Sequence, residues 1–238
     1  MSHFQFQTVS NIISGLGSIY ELKQLLQQKP YKKLLLVTDA GMIQQQLHLT
    51  IIEILETIQL DYVIYSSVQA DPPEHIVLDA VQFAKNEKVD IVLGFGGGSS
   101  LDVAKVIAIL VHPQQQQTLS DLYGINNVKQ PRLPLFLVPT TAGTGSEVTP
   151  ISIVTTGKTT KTGIVSPILF ADVAILDATF TQNLPAHITA ATGIDAMVHA
   201  IEAYTSKIKK NPYADMLAKQ ALKLLNHNLS LVLADGQN

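Results

Sequence analysis

The sequence of 238 residues contains no cysteine and no tryptophan, and only 15% of its residues are charged. Without cysteine, a disulfide framework, a thiolate metal site and a cysteine nucleophile are excluded, so any metal must be held by histidine, carboxylate or water. No apolar run approaches the about 20 residues that a membrane-spanning helix needs. The net charge of -3 comes without a basic stripe, which argues against nucleic acid as the main partner.

The N-terminus lacks the features of a secretory signal. Residues 1–5 carry no positively charged region, and no apolar stretch follows them. We therefore expect a soluble protein of the cytoplasm with no membrane partner. The length fits one large domain or two small ones.

Short apolar runs alternate with helical patterns along the first 140 residues. The predicted strands span residues 33–39, 61–65, 90–94 and 133–139, and the predicted helices span 41–58 and 74–87. This alternation predicts an α/β fold with an open, mainly parallel sheet, in which ligands bind beyond the carboxyl ends of the strands. A last strand-like run covers 171–177, and helical patterns continue from 185 to 233. We therefore predict an α/β domain over residues 1–180 and a helical domain that begins at residue 181.

A glycine-rich loop joins the predicted strand 90–94 to a helix that begins near Ser99. Glycines in Gly94-Phe-Gly-Gly-Gly-Ser-Ser100 let backbone N–H groups approach a phosphate, and the helix N-terminus adds partial positive charge. The loop is not a P-loop, because Gly-Lys-Ser/Thr is missing, and Ser99 interrupts a GxGxxG pattern. The sequence fits a phosphate cradle or a tight strand-to-helix turn.

Hydroxyl side chains follow the predicted strand 133–139, in Pro139-Thr-Thr-Ala-Gly-Thr-Gly-Ser-Glu147. Threonine and serine hydroxyls can bond ribose or phosphate oxygens, although a loop that caps a helix would have the same composition. Because two such loops follow the carboxyl ends of strands, they favour one shared ligand.

Asp39 ends the first strand of the predicted sheet. A carboxylate at this position can accept hydrogen bonds from both ribose hydroxyls and repels a 2′-phosphate, which favours NAD over NADP. The alternative role of Asp39 is to form a turn or to cap the following helix.

Asp195 and His199 lie four residues apart in a predicted helix. Side chains with this spacing have Cβ atoms about 5–6 Å apart, close enough to share one divalent ion. A hydrogen bond on the helix surface is the commoner explanation of such a pair, because catalytic metal sites normally use three or more protein ligands. Glu202 could pair with His199 or face solvent.

Three segments together resemble the iron-containing (group III) alcohol dehydrogenase family. They are Gly96–Lys105, Pro139–Thr149 and Thr192–Tyr204, and their order and spacing match the family. The resemblance implies a Rossmann-like dinucleotide-binding domain over 1–180, followed over 181–238 by the first part of an all-helical metal-binding domain, as in dehydroquinate synthase-like folds. It also implies NAD(P)-dependent, metal-dependent hydride transfer between a small alcohol and its aldehyde or ketone.

The resemblance also assigns site residues. Asp195 and His199 match two metal ligands, for which Fe²⁺ is expected and Zn²⁺ is the alternative, and no further catalytic residue is assigned. The metal would act as a Lewis acid on the bound alcohol. NAD, in preference to NADP, is matched to Asp39, Gly97, Gly98, Ser99, Asp102, Thr140, Thr141, Thr144, Thr149 and Lys161. Members of the family commonly form homodimers through N-terminal strands.

The sequence departs from the family pattern in several places. Asp71 stands where asparagine is common, Gln7 stands where proline is common, and Ser99 replaces the lysine of zinc-using relatives such as glycerol dehydrogenases. Family members continue past the position of Asn238 and take two further histidine ligands there. We therefore expect a chain truncated at its C-terminus, with little dehydrogenase activity of its own and exposed apolar surface around residues 214–225. The alternatives are a nucleotide-binding remnant without catalysis, or a related glycerol, lactaldehyde or butanol dehydrogenase.

Overall fold

The computed structural model describes residues 3–237. Met1 and Ser2, in the segment without signal-peptide features, and Asn238, at the end of the predicted helical domain, lie outside the described residues. The strands are β1 (Asn11–Ser14), β2 (Lys33–Asp39), β3 (Asp61–Val68), β4 (Ile91–Gly96), β5 (Gly124–Ile125), β6 (Leu135–Pro139), β7 (Ile151–Thr156), β8 (Thr160–Val165) and β9 (Val173–Leu176). The α-helices are α1 (Glu21–Gln27), α2 (Ala40–Gln44), α3 (Leu49–Thr57), α4 (Glu74–Glu87), α5 (Gly98–Leu110), α6 (Leu119–Leu122), α7 (Ala186–Thr205) and α8 (Pro212–Ala234).

Six strands form one sheet in the order β1-β9-β6-β4-β2-β3, and every neighbouring pair is parallel. The predicted Rossmann-like α/β fold class is confirmed. The chain runs from β2 to β3 on one side and returns to place β4 on the other side of β2. The strand order therefore reverses between β2 and β4, and ligands of open α/β sheets bind at such a point, beyond the carboxyl ends of the strands.

The centre of the sheet is buried on both faces. All six residues of β4 and the five central residues of β2 are buried, and α5 is buried from Ser100 to Leu110 except at Asp102. Gly94 permits the close packing of β4 on α5, because a Cβ there would lie 2.8 Å from the Cβ of Ala104. The strand that leads into the glycine loop is thereby held rigidly against the helix that follows it.

Several element boundaries differ from the sequence prediction. The predicted helix 41–58 was wrong as one element: α2 and α3 are separate because Gln46 adopts a left-handed backbone, with φ of 59°. The strand predicted at 61–65 continues to Val68. The prediction also missed β1 and the antiparallel hairpin of β7 and β8, which forms a second, three-stranded sheet with β5.

The chain divides into two compact units. The larger contains residues 9–140 and 146–178, and the smaller contains residues 1–8, 141–145 and 179–238. The smaller unit is built around α7 and α8, which pack so closely that a Cβ at Gly193 would lie 2.5 Å from Leu229 Cδ1. Among residues 3–237, no helix is long and apolar enough to cross a membrane.

Candidate functional site

A cavity of about 360 Å³ lies in the larger unit, at the carboxyl ends of β2 and β4. It is lined by Asp39, Ala40, Gly41, Val68, Gln69, Ala70, Gly97, Gly98, Ser99 and Ser100. The cavity therefore occupies the point where the strand order reverses, and it brings together Asp39 and the glycine loop, which the sequence had suggested independently.

A larger depression of about 550 Å³ lies between Lys33 and Glu56 at the opposite end of the sheet. Its lining includes Asp61, Tyr62 and Val63 at the start of β3. Because ligands of open α/β sheets bind at the carboxyl ends of strands, the smaller cavity is the candidate functional site.

Asp39 lines the cavity and caps α2. Its Oδ1 accepts hydrogen bonds from the backbone N–H groups of Gly41 (2.9 Å) and Met42 (3.2 Å). Its Oδ2 accepts one from the Ser100 hydroxyl at 3.3 Å. Since a carboxylate has about four acceptor positions, Oδ2 retains capacity for a ligand hydroxyl.

The N-terminus of α5 forms the other wall of the cavity. The N-cap residue is Gly97, so no side chain caps the first turn, and the first turn contains no acidic residue. Uncapped backbone N–H groups at the start of a 13-residue helix favour an anion. Gly96 is required just before them: its φ is 144°, and a Cβ would lie 2.8 Å from Ser100 Oγ and 3.1 Å from Asp39 Oδ2.

Two buried hydroxyls, those of Thr38 and Thr140, flank this end of β4. Thr38 precedes Asp39, and Thr140 follows β6 and donates its backbone N–H to the Gly96 carbonyl at 3.0 Å. Within residues 3–237, neither Oγ1 has a hydrogen-bond partner although both are buried. Buried hydroxyls without partners are unusual and mark a place where a ligand or water can supply one.

Asp102 and Lys105 form a buried network behind the glycine loop. The Asp102 carboxylate accepts hydrogen bonds from the Ser146 hydroxyl (2.5 Å) and the Ile153 N–H (2.9 Å). The fully buried Lys105 ammonium donates to Ser146 Oγ at 2.8 Å and to Thr149 Oγ1 at 3.3 Å. Two of the residues matched to NAD, Asp102 and Thr149, are therefore tied together by a lysine that the sequence analysis did not single out.

Burial sets the electrostatics of this network. It lowers the pKa of Lys105, an effect that the nearby Asp102 and Glu147 carboxylates oppose. It also raises the pKa of Glu147, against the attraction of the Lys105 charge. The one signal for Lys105 in the sequence was a lysine within an otherwise apolar helix.

Lys161, the remaining predicted cofactor contact of the larger unit, forms an ion pair. Its Nζ lies 2.6 Å from Asp71 Oδ1, and the side chains are 56% and 66% exposed. Asp71 follows Ala70 of the cavity lining directly. The departure from the family pattern noted at Asp71 therefore contacts a predicted cofactor residue 90 positions away.

Thr141 and Thr144 belong to the smaller unit, where their loop packs on α7. A Cβ at Gly143 would lie 2.7 Å from both the Cβ and the carbonyl oxygen of Thr192. The middle of the hydroxyl-rich loop is thereby fixed against the helix that carries Asp195.

Asp195 and His199 face each other across one turn of α7, about half exposed. The distance from His199 Nε2 to Asp195 Oδ1 is 3.6 Å, longer than a hydrogen bond. Over the described range 3–237, no group of three or more potential ligands could hold a metal ion. The expected Fe²⁺ or Zn²⁺ therefore has two donors here, short of the three protein ligands of a catalytic site.

Two family models match the chain. The iron-containing alcohol dehydrogenase model matches residues 10–178, and the C-terminal model of the Fe-containing alcohol dehydrogenase family matches residues 189–238.

Over the aligned residues, curated relatives are somewhat more than one third identical to the chain. It is 37% identical to the sulfoacetaldehyde reductase of Bilophila wadsworthia, an alignment that covers 99% of this chain and 60% of the relative. It is 35% identical to the NAD-dependent methanol dehydrogenase of Bacillus methanolicus, over 95% of this chain and 59% of that protein. The chain thus spans about 60% of the length of these relatives.

Solved structures superpose over the whole chain. A 1,3-propanediol oxidoreductase matches with a TM-score of 0.94 and 34% identity, covering 100% of this chain and 62% of the other. The sulfoacetaldehyde reductase of Bifidobacterium kashiwanohense, solved in complex with NAD⁺, matches with a TM-score of 0.91 and 28% identity, covering 100% and 62%. Sequence motifs, fold and comparisons agree, and the chain belongs to the iron-containing alcohol dehydrogenase family.

Proposed function

We propose that the larger unit binds NAD in the cavity between β2 and β4, as the cofactor site of an alcohol dehydrogenase. One observation carries this proposal: an acidic residue and an uncapped helix N-terminus face the same cavity at the reversal of the strand order. Thr38 and Thr140, whose buried hydroxyls lack a partner, lie at the same edge of the sheet.

Each wall of the cavity suits a different part of a dinucleotide. The Asp39 carboxylate would accept hydrogen bonds from the adenosine ribose and would repel a 2′-phosphate, which favours NAD over NADP. The N–H groups at the start of α5, with Gly97, Gly98 and Ser99, would hold the pyrophosphate. Asp102, Thr140, Thr149 and Lys161 of the larger unit complete the proposed set, and the family match of Thr141 and Thr144, in the smaller unit, stays a prediction. Bound NAD supplies hydride transfer at nicotinamide C4.

The substrate class that we propose is a small alcohol and its aldehyde or ketone. The relatives include a sulfoacetaldehyde reductase, a methanol dehydrogenase and a choline dehydrogenase, so membership of the family supports this reaction type without favouring one substrate. A cytoplasmic location and a homodimer are part of the same proposal. The edge position of β1, with Ile12 exposed, suits pairing through N-terminal strands.

The two donors on α7 do not make a catalytic metal site, and we assign no chemical step to a metal. With Asp195 and His199 alone, affinity for Fe²⁺ or Zn²⁺ would be low. The polypeptide of 238 residues, assayed by itself, should therefore bind NAD and turn over little or no alcohol. NAD binding without alcohol turnover is expected of a nucleotide-binding module, whereas a complete dehydrogenase would also oxidise the alcohol.

Calorimetric titration with NAD tests the proposal. The wild-type chain should bind NAD, and Asp39→Ala should weaken binding about tenfold or more, since one charge-assisted contact is worth about 1.4 kcal/mol or above. Asp39→Asn is the matched control, because asparagine can still cap α2 while losing the charge. It should reduce the preference for NAD over NADP.

Titrations with added Fe²⁺ or Zn²⁺ separate NAD binding from metal-dependent alcohol turnover. NAD binding without a metal effect, and without alcohol-dependent NADH formation, is the expected result. Wild-type-like turnover by this chain would show that Asp195 and His199 find further ligands. Absence of NAD binding by a folded chain would overturn the proposal.

A further inference from the structure

The ion pair of Asp71 and Lys161 lies at the edge of the proposed NAD cavity. It joins the loop between β3 and α4 to the second residue of β8, and its Nζ to Oδ1 distance is 2.6 Å. Asp71 follows Ala70, which lines the cavity. Because both side chains are more than half exposed, the pair is open to competing ions.

Backbone hydrogen bonds hold the two partners close together without help from the ion pair. Thr155 donates its N–H to the Pro72 carbonyl and its hydroxyl to the Asp71 carbonyl, both at 2.9 Å. In the antiparallel hairpin, Thr155 is the register partner of Lys161. The position of the Lys161 backbone is therefore set by the hairpin, and the carboxylate acts only on the side chain.

The residues that line the cavity are unbalanced in charge. The lining contains the Asp39 carboxylate and no lysine or arginine side chain. Lys161 is thus a cation at the cavity edge whose positive charge could attract the pyrophosphate. Its ammonium forms an ion pair with Asp71. Asparagine or aspartate is also suited to position 71 because the backbone φ there is 51°, in the left-handed region.

We propose that Asp71 is an affinity-determining residue for the dinucleotide: its carboxylate neutralises Lys161 and makes the ammonium less available to the cofactor phosphates. This inference rests on the proposed NAD site. Without Asp71, the Lys161 charge would be free to attract the pyrophosphate. Without Lys161, the Asp71 charge would join that of Asp39 in repelling it.

The expected effects are modest because solvent screens an exposed pair. Asp71→Asn should tighten NAD binding about threefold at low salt, a size typical of exposed charge interactions. Lys161→Met should weaken it about fivefold, because the unpaired negative charge of Asp71 replaces a neutral ion pair. The double variant should lie between the two, closer to the wild type.

Calorimetry with NAD on all four proteins tests the inference, at about 50 mM and about 500 mM sodium chloride. Adenosine, which carries no phosphate, is the control ligand and should bind the four proteins equally. The differences between proteins should shrink at high salt. Asp71→Asn preserves the left-handed backbone preference, so a loss of folding does not confuse the result, and circular dichroism checks this.

Each other outcome overturns the inference in a recognisable way. Weaker NAD binding by Asp71→Asn would show that the carboxylate positions Lys161 for the cofactor instead of withholding it. If both single variants bind NAD as the wild type does, while Asp39→Ala still loses binding, the proposed NAD site stands. The ion pair of Asp71 and Lys161 then has no influence on NAD affinity. Failure of the folded wild-type chain to bind NAD would overturn the proposed function together with this inference.

Discussion

The Lys105 ammonium donates a 2.6 Å hydrogen bond to the carbonyl oxygen of Ile151 from a side chain with no exposed surface. The bond joins the middle of α5 to the start of β7, across 46 residues of sequence. Desolvation lowers the pKa of Lys105, while its ion pair with Asp102, at 3.4 Å, acts in the opposite direction. A buried cation with several acceptors around it rigidifies the segments that supply them.

Replacement of Lys105 by methionine should lower the free energy of unfolding by about 3 kcal/mol. Methionine fills a similar volume, but it leaves the Asp102 carboxylate without its cation and the Ile151 carbonyl without its donor. Urea unfolding measures the change. Lys85→Met, on the exposed side of α4, is the matched control and should change stability by no more than about 0.5 kcal/mol. Equal stability of the two variants would contradict the role given to Lys105.

Glu147 should make the protein less stable as the pH rises. Burial raises the pKa of Glu147 above its usual range, although a backbone hydrogen bond and the Lys105 charge oppose the shift. An acid whose pKa is higher in the folded state contributes stability below its unfolded pKa, and this contribution is lost as the pH rises through the folded pKa. The penalty is therefore present at neutral pH and absent near pH 4.

Glu147→Gln should consequently raise the Tm at neutral pH and have little effect near pH 4. Thermal unfolding across this pH range measures the difference. The matched control is Glu53→Gln on the exposed face of α3, which should leave the pH profile unchanged. If Glu147→Gln instead lowers the stability at neutral pH, the attraction between the Glu147 carboxylate and the Lys105 ammonium outweighs the cost of burying that carboxylate.

The parts of the fold that could be predicted are those with strong local signals. β2 matches its prediction to the residue because the apolar run 34–37 lies between Lys33 and the polar Thr38-Asp39. α4 matches because Pro73 precedes it and its apolar positions recur with helical spacing. The helix predicted over 41–58 was wrong because no glycine or proline marks the break at Gln46. Gln46 is exposed, and backbone hydrogen bonds such as that from the Leu47 N–H to the Met42 carbonyl close the turn, so no side-chain pattern marks it.

The site was predictable only where its residues are close in sequence. The glycine loop and Asp39 each had a motif, and their meeting followed from the rule that strand ends share one edge of a parallel sheet. The β7–β8 hairpin was missed although Gly157, with φ of 64°, separates two threonine-rich runs. Without that hairpin, neither the pairing of Asp71 with Lys161 nor that of Lys105 with Ile151 could be foreseen, because both cross long stretches of chain.

Gly94 should tolerate no side chain, because β4 and α5 touch at this residue. A Cβ would lie 2.8 Å from the Ala104 Cβ and 2.8 Å from Leu137 Cδ2. Gly94→Ala should therefore destabilise the protein by about 1–3 kcal/mol, the usual effect of overpacking a core. Gly163→Ala is the control, since a Cβ there would make an ordinary 3.5 Å contact with Ile153 Cδ1. Chemical denaturation measures the stability of both variants. Equal denaturation midpoints for Gly94→Ala and Gly163→Ala would contradict the packing argument.

The smaller unit exposes two apolar stripes, one on α7 and one on α8. On α7, Ile194, Val198 and Ile201 recur with helical spacing and are 53%, 44% and 48% exposed. On α8, the exposed leucines Leu217, Leu224 and Leu231 recur every seven residues. Contiguous apolar surface of this kind favours association, in line with the expectation that the sequence raised for residues 214–225.

The chain should therefore self-associate through α7 and α8 as its concentration rises. Sedimentation velocity over a roughly hundred-fold concentration range should show an increasing mean mass. Leu217→Gln combined with Leu224→Gln should reduce this association, because the polar side chains interrupt the stripe on α8. Leu78→Gln is the matched control: Leu78 is 48% exposed but lies on α4 of the larger unit, so its replacement should leave association unchanged. If the wild-type chain stays monomeric throughout and does not enhance the fluorescence of an apolar dye, the stripes do not drive self-association.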